Sequence, residues 1–329
     1  MNTIDADFDK GDPTRLDTFA ITNDRGKLMG MFGLGAELYV KPRARAQLRQ
    51  DMISVQEDYY RLFNAHIDRC FTDDPKTDGK FEPFDESMFA RLRNACIAWP
   101  QDNGYTHMLF GSHTHQAFIA DANTVTPYLS EFLVEADIHR ELSTYDCYMP
   151  VGAPDGKPNF SLLLDALLRW CAILRPAHGN AGFCVVMEPN DTSGEKYAYP
   201  LLQRFPGFDI HTPSSFALDV EEIHDRIKTV NWLTVLDDGI VDELGGKATL
   251  RAALEPDCLM HAYDGGIVIQ AGPLPQLGDT YRDVSALASY RKVAKLTKPV
   301  RYAPTGALFK VFPPMIAREE AEKWVARFD

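Results

Sequence analysis

Three histidines, His107, His113 and His115, are the residues of this sequence whose types and spacing come nearest to catalytic chemistry. A strand places alternate residues on one face, so His113 and His115 could both reach one metal ion. With His107 they would suit a metal-dependent hydrolase. Such a site needs a further ligand and an open coordination position. The segment reads His113-Thr114-His115-Gln116-Ala117, without the HxHxDH run of hydrolases, and the Gly111-Ser112 turn stands between His107 and the pair. Surface or packed histidines explain the trio more simply.

Other chemical signals are weaker. Gly30, Gly33 and Gly35 lack the glycine at position 38 that a GxGxxG phosphate loop requires, and they run into Glu37-Leu38-Tyr39-Val40. A twisted or close-packed strand fits them better. There is no GxxxxGK[ST] loop and no GxSxG elbow. The six cysteines (Cys70, Cys96, Cys147, Cys171, Cys184, Cys258) form no CxxC pair. Their apolar settings read as reduced, buried thiols, not as nucleophiles, a disulfide framework or a zinc site. The carboxylate pairs Asp73-Asp74, Glu221-Glu222 and Asp237-Asp238 lack the context of a glycosidase or nuclease. Asp237 and Asp238 suit the positive end of a following helix. The basic patch Lys41, Arg43, Arg45 and Arg49 reads as a solvated helix start. No catalytic residue, metal or cofactor is assigned, and the chain is read as a non-enzyme.

The elements that would carry these residues alternate irregularly between two periods. Residues 1–24 form a polar lead-in. Lys27–Val40 is compatible with a strand, and Asp51–Phe71 places Met52, Val55, Tyr59, Leu62, Phe63, Ile67 and Cys70 at helical spacing. A short helix follows around Glu86–Ala98. Tyr105–Phe110 and Gln116–Ala120 read as a strand pair, and Ser143–Pro150 as a further strand. Phe160–Leu174 is apolar on nearly every side and should be a central buried helix stopped by Pro176.

Gly182–Glu188 reads as a buried strand and Glu195–Phe205 as a helix. Phe216, Val220, Ile223 and Ile227 mark a helical stripe. Val230–Leu236 is strand-like, with a short helix between it and Gly245-Gly246. Cys258–Ala262 and Ile267–Ala271 suggest a hairpin around Asp264-Gly265. Val284–Thr297 and Glu319–Phe328 close the chain as helices. Without strict βαβ alternation the class is α+β, with mixed, largely antiparallel sheets and packed helices. The Pro/Gly-rich link Gly152–Lys157 divides residues 25–329 into two candidate lobes of similar content, 25–151 and 157–329.

The chain has 329 residues, 45% of them hydrophobic, enough for a large core. The acidic start Met1-Asn2-Thr3-Ile4-Asp5-Ala6-Asp7 lacks signal-peptide features, and no apolar run of about 20 residues suggests a membrane span. A cytoplasmic, soluble protein is expected. The net charge is −13, and residues 1–150 carry 24 acidic against 15 basic side chains. That surface repels nucleic acid and anionic membranes and attracts a basic protein.

The C-terminal part carries a resemblance. Val230-Asn231-Trp232-Leu233-Thr234 is followed by Leu244-Gly245-Gly246, then Tyr263-Asp264-Gly265-Gly266-Ile267-Val268-Ile269-Gln270-Ala271-Gly272 and Pro273-Leu274-Pro275-Gln276-Leu277-Gly278-Asp279. Tyr290-Arg291-Lys292-Val293-Ala294 and Lys298-Pro299-Val300-Arg301 complete the series. Their order and spacing resemble the type VI secretion immunity family, proteins encoded beside secreted antibacterial toxins. The match is specific over about residues 225–302 and looser upstream. These residues have structural roles: glycines at positive φ, a hairpin turn, a buried tryptophan.

The resemblance implies stoichiometric capture of a toxin, often one with a basic, nuclease-type domain. An acidic protein can cover a phosphate-binding groove or hold the toxin in an inactive shape. The acidic positions Asp121, Glu131, Glu135 and Asp137 are the candidate contacts. A metal-dependent hydrolase and a scaffold of the secretion apparatus are the alternatives.

Overall fold

A computed structural model describes residues 11–72, 81–100, 102–111, 125–135, 142–188, 194–220, 223–282, 287–304 and 318–329. After a short 3-10 turn, β1 (Ala20–Thr22) pairs with the long β2 (Leu28–Val40), and α1 (Arg45–Phe63) follows. Then come β3 (Arg69–Thr72), β4 (Glu82–Pro83), α2 (Met88–Ala98), β5 (Tyr105–Phe110), β6 (Leu129–Val134) and β7 (Ser143–Met149). The second half contributes α3 (Phe160–Leu174), β8 (His178–Val186), α4 (Glu195–Arg204), β9 (Asp209–Ile210), α5 (Pro213–Val220) and β10 (Leu233–Asp237). Two short helices, α6 (Asp238–Glu243) and α7 (Gly246–Leu254), lead into the hairpin β11 (Leu259–Tyr263) and β12 (Gly266–Gln270). α8 (Ala288–Thr297) and α9 (Arg318–Val325) end the chain.

All these strands join one sheet in the order β11-β12-β10-β8-β2-β7-β6-β5-β3-β4, with β1 on β2 and β9 on β8. Only β8 and β9 run parallel among the described pairs. The class is α+β, as the irregular alternation predicts. Strands from before the Gly152–Lys157 link fill one half of the sheet and strands from after it the other. They meet at β2 and β8, in register from Met31↔Val186 to Tyr39↔His178.

One face of the sheet is apolar and covered by helices. Leu34, Ala36 and Leu38 of β2 and Tyr145 and Cys147 of β7 point toward α1 and α3, where Tyr145 and Tyr59 pack on Trp170. α3 is stopped by Arg175, which adopts φ 47 ahead of Pro176. Trp232 is buried against Phe160, and its indole N–H donates to the Gly272 carbonyl at 3.1 Å. Asp264-Gly265 forms the β11–β12 turn with Gly265 at φ 116.

Several boundaries differ from the sequence reading. α1 ends at Phe63, and Ile67 and Cys70, which continued its spacing, sit in a turn and in β3. Two apolar residues three apart satisfy a helical period even where the chain has turned into a strand. α5 likewise ends at Val220, leaving Ile223 53% exposed. β5 takes β3 and β6 as its two neighbours, not the segment 116–120, which lies outside the described residues.

Candidate functional site

The opposite face of the sheet holds the polar groups. Strand pairing sets Phe71, Met108, Glu131, Asp146, Glu37, Asn180 and Thr234 directly opposite one another on β3, β5, β6, β7, β2, β8 and β10. Opposed residues share a face, so this is one row across the sheet. Glu131, Asp146 and Glu37 therefore stand side by side. Like charges in that arrangement repel, and burial strengthens the repulsion.

Two of the three carboxylates have a cation. Lys228 Nζ lies 2.7 Å from Glu37 Oε2, with both side chains fully buried. The same ammonium donates to the Ile210 carbonyl at 3.0 Å, and the Thr212 N–H donates to Glu37 Oε1 at 2.9 Å. Burial alone would raise the Glu37 pKa, but the Lys228 and His211 charges and the Lys228 hydrogen bond outweigh it and hold Glu37 below the ordinary glutamate value.

Asp146 pairs with His211, whose Nδ1 is 2.5 Å from Asp146 Oδ1. The imidazole lies over Tyr148, centroids 5.1 Å apart and planes at 19°. Gly35 makes this approach possible, because a Cβ there would sit 2.5 Å from His211 Cε1. Burial opposes the charge on His211, yet the Asp146 carboxylate and its hydrogen bond raise the imidazole pKa overall. Asp146 itself ends above its usual value, because burial and the Glu37 charge outweigh what His211 returns.

Glu131 has no cation or hydrogen-bond partner among the described residues. It is intermediate in exposure, at the end of the run of three carboxylates. Burial, and then the neighbouring Asp146 charge, push its pKa up to about 8, so at neutral pH it is mostly a protonated acid. A basic group brought to this position would turn it into a carboxylate.

Nothing in the row suits nucleophilic chemistry. Cys147 and Cys184 lie nearby, but burial pushes both thiols far above their ordinary range. Among the described residues no three His, Cys, Asp or Glu side chains are arranged to hold a metal ion. His107 is buried on the other, helix-covered face, with Nδ1 2.7 Å from Gln56 Oε1, and burial pushes its pKa down to about 3. It is a neutral core histidine. His113 and His115 lie outside the described residues.

Of the proposed contact residues, Glu131 is on β6. Glu135 follows that strand, with its N–H donating to Ser143 Oγ at 3.2 Å. Asp121 and Asp137 lie outside the described residues, as do Asp73-Asp74 and Glu221-Glu222. Asp237 does cap a helix, accepting from the Ile240 N–H at 2.8 Å.

The basic patch is more structural than a solvated helix start. Lys41 pairs with Asp237, Arg43 with Asp51, and fully buried Arg49 donates to the carbonyls of Cys96, Trp99, Pro100 and Asn103. Arg49 thus supplies donors to the C-terminal end of α2, where carbonyls lack intrahelical partners. The sequence reading passed over Glu37, Asp146, His211 and Lys228. A glutamate within the apolar run of β2 was the only local signal, and Glu37 and Lys228 are 191 positions apart.

Residues 52–328 match the family described as TsiV, type VI immunity for VRR-NUC. The chain belongs to this family. The match extends the narrower C-terminal resemblance to nearly the whole chain. It contains Glu131, Asp146, His211 and Lys228, while β2 with Glu37 and Gly35 precedes it. As a type VI immunity protein it is directed against nucleases of the VRR-NUC class. Among solved structures, the Pseudomonas aeruginosa T6SS protein PA0821 is similar, with a TM-score of 0.78 over 93% of this chain and 85% of that one. At 22% identity that likeness speaks for a shared fold. No curated protein matches the sequence. No described helix is long and apolar enough to cross a membrane.

Proposed function

We propose that this immunity protein neutralises its VRR-NUC toxin by stoichiometric binding in the cytoplasm, without turnover and without a cofactor. The observation that carries the reading is the acid Glu131, which has no partner among the described residues, beside Asp146 and Glu37, which are matched by His211 and Lys228. It lies in an acidic stretch: residues 101–150 contain seven acidic side chains and one basic one. A nuclease must present basic groups to phosphate. An acidic surface with an unmatched carboxyl would receive such groups and cover the groove, and its field would speed the encounter. Glu131, Glu135, Asp121 and Asp137 are the proposed contacts.

The test is co-expression with the toxin encoded by the adjacent gene, scored by growth and then by co-purification. Growth rescue with a one-to-one complex is expected. Rescue without a complex would mean enzymatic protection and return attention to the histidines. Binding to secretion components in place of the toxin would favour a scaffold. Charge reversal at Glu131, Glu135 and Asp137 together should weaken toxin binding at least tenfold, about 1.4 kcal/mol. Unchanged affinity rejects this surface.

A further inference from the structure

The two ends of the sheet are finished differently. At one end β4 is two residues long and consists of a glutamate and a proline, Glu82–Pro83. Short strands, charges and proline are devices that keep an edge from pairing with another chain. At the other end β11 has five residues, Leu259-Met260-His261-Ala262-Tyr263, and pairs with β12 in unbroken register from Leu259↔Gln270 to Tyr263↔Gly266. It contains no proline, glycine, lysine, carboxylate or bulge. Leu259 is 47% exposed and Ala262 is exposed. Its outer edge pairs with no strand among the described residues.

We propose that two copies of this protein join antiparallel through the outer edges of β11, making a twofold dimer whose sheet runs through both chains. Charge favours a second copy as the occupant of this edge. A chain of net charge −13 repels its own copy over most of its surface, whereas this strand is neutral. The strand ends are also complementary under a twofold axis at His261. That register sets His261 opposite His261 of the copy, Leu259 opposite Tyr263, and Met260 opposite Ala262. It also sets Cys258 opposite Asp264, and Asp257 opposite Gly265.

One end of the strand carries the exposed pair Lys292–Asp257 at 2.7 Å, and the other carries Arg175 paired with Asp264. The axis brings unlike ends together twice. Lys292 of each copy comes next to Asp264 of the other, and Arg175 next to Asp257. A basic nuclease gains nothing comparable from an uncharged edge, so this surface is separate from the acidic one proposed for the toxin. The inference does not depend on the toxin reading.

Light scattering on the full chain at about 100 µM should give twice the 37.0 kDa of the monomer. The double variant Leu259→Lys and Ala262→Lys, placed at exposed positions, should return it to 37.0 kDa with an unchanged circular-dichroism spectrum. The register has its own test. In the variant His261→Cys the new thiol faces itself across the axis, and mild oxidation should convert most of the protein to a disulfide-linked dimer. Leu259→Cys, two positions off the axis, should cross-link at least tenfold less. The six native cysteines are all buried and do not compete. A wild-type mass of 37.0 kDa at that concentration overturns the proposal. So does a dimer in which His261→Cys cross-links no better than Leu259→Cys.

Discussion

Glu37 and Glu131 occupy the same row of the same sheet, separated only by Asp146, yet they titrate in opposite directions. Glu37 sits at the crossing of β2 and β8, where Lys228, His211 and the Thr212 N–H surround it, and it stays ionised. Glu131 sits two strands away with no cation among the described residues, and its proton is retained to about pH 8. Residue type and strand position are the same for both. The difference lies in what the C-terminal half of the chain delivers: residues 209–212 and Lys228 reach Glu37 and Asp146 and stop short of Glu131. A charge placed in a sheet is a structural element where the fold supplies its counterpart, as it does for Glu37.

The strongest way to break this contrast is to remove the central cation. Lys228→Met should destabilise the protein by about 3–5 kcal/mol, because it strands Glu37 as a buried, uncompensated charge. The double variant with Glu37→Gln should recover much of that loss in urea unfolding. A double variant no more stable than the single one would show that Lys228 acts through packing alone. Next in size is Gly35→Ala. Its methyl would meet the His211 ring, and a loss of about 1–3 kcal/mol is expected, with the His211 proton resonances shifted as the ring leaves Asp146.

The pH dependence sharpens the comparison. The folded-state pKa of Glu131 lies above its unfolded value, so its contribution is full below about pH 4.5 and is lost as the pH rises through about 8. Glu131→Gln should therefore gain stability on the wild type between about pH 5 and 8, then hold a constant difference above that range. Glu37 is lowered, so its contribution is present above the ordinary glutamate value and lost as the pH falls through its folded pKa. Glu37→Gln should accordingly differ most from the wild type at neutral pH and least in acid. Denaturation at pH 4, 6 and 8 separates the two, and parallel curves would contradict the opposite shifts. The smallest effect is a control. Arg251→Ala removes an exposed i,i+4 pair with Glu255 and should change stability by no more than about 0.5 kcal/mol.

Much of the scaffold was legible because its signals are local. The all-round apolar run of α3, the Asp264-Gly265 turn and the capping role of Asp237 each depend on residues within one or two turns of one another. The reading of Gly33 and Gly35 as close-packed strand positions also holds, since a Cβ at either would press on a neighbour at 3.0 Å or less. The candidate site was only partly legible. Glu131 could be picked out for its charge, but no neighbouring residue marks its carboxyl as one that keeps its proton. That depends first on its burial and then on Asp146 lying opposite it, with no cation among the described residues. The basic stretch at Arg45–Arg49 misled for the same reason. Nothing near Arg49 in the chain announces that four carbonyls around the end of α2 will surround it.

By itself the sequence determined the α+β class, most helices and strands to within a few residues, the family through the order of its C-terminal motifs, and a net acidic charge. Hydrophobic period, turn chemistry and net charge are properties of neighbouring residues or of simple sums. Tertiary structure alone decided which carboxylates are paired, because Glu37 and Lys228 meet across 191 residues of chain and Asp146 and His211 across 65. It also decided which strand closes each end of the sheet. Strand order follows from how the core packs, and no local pattern encodes it.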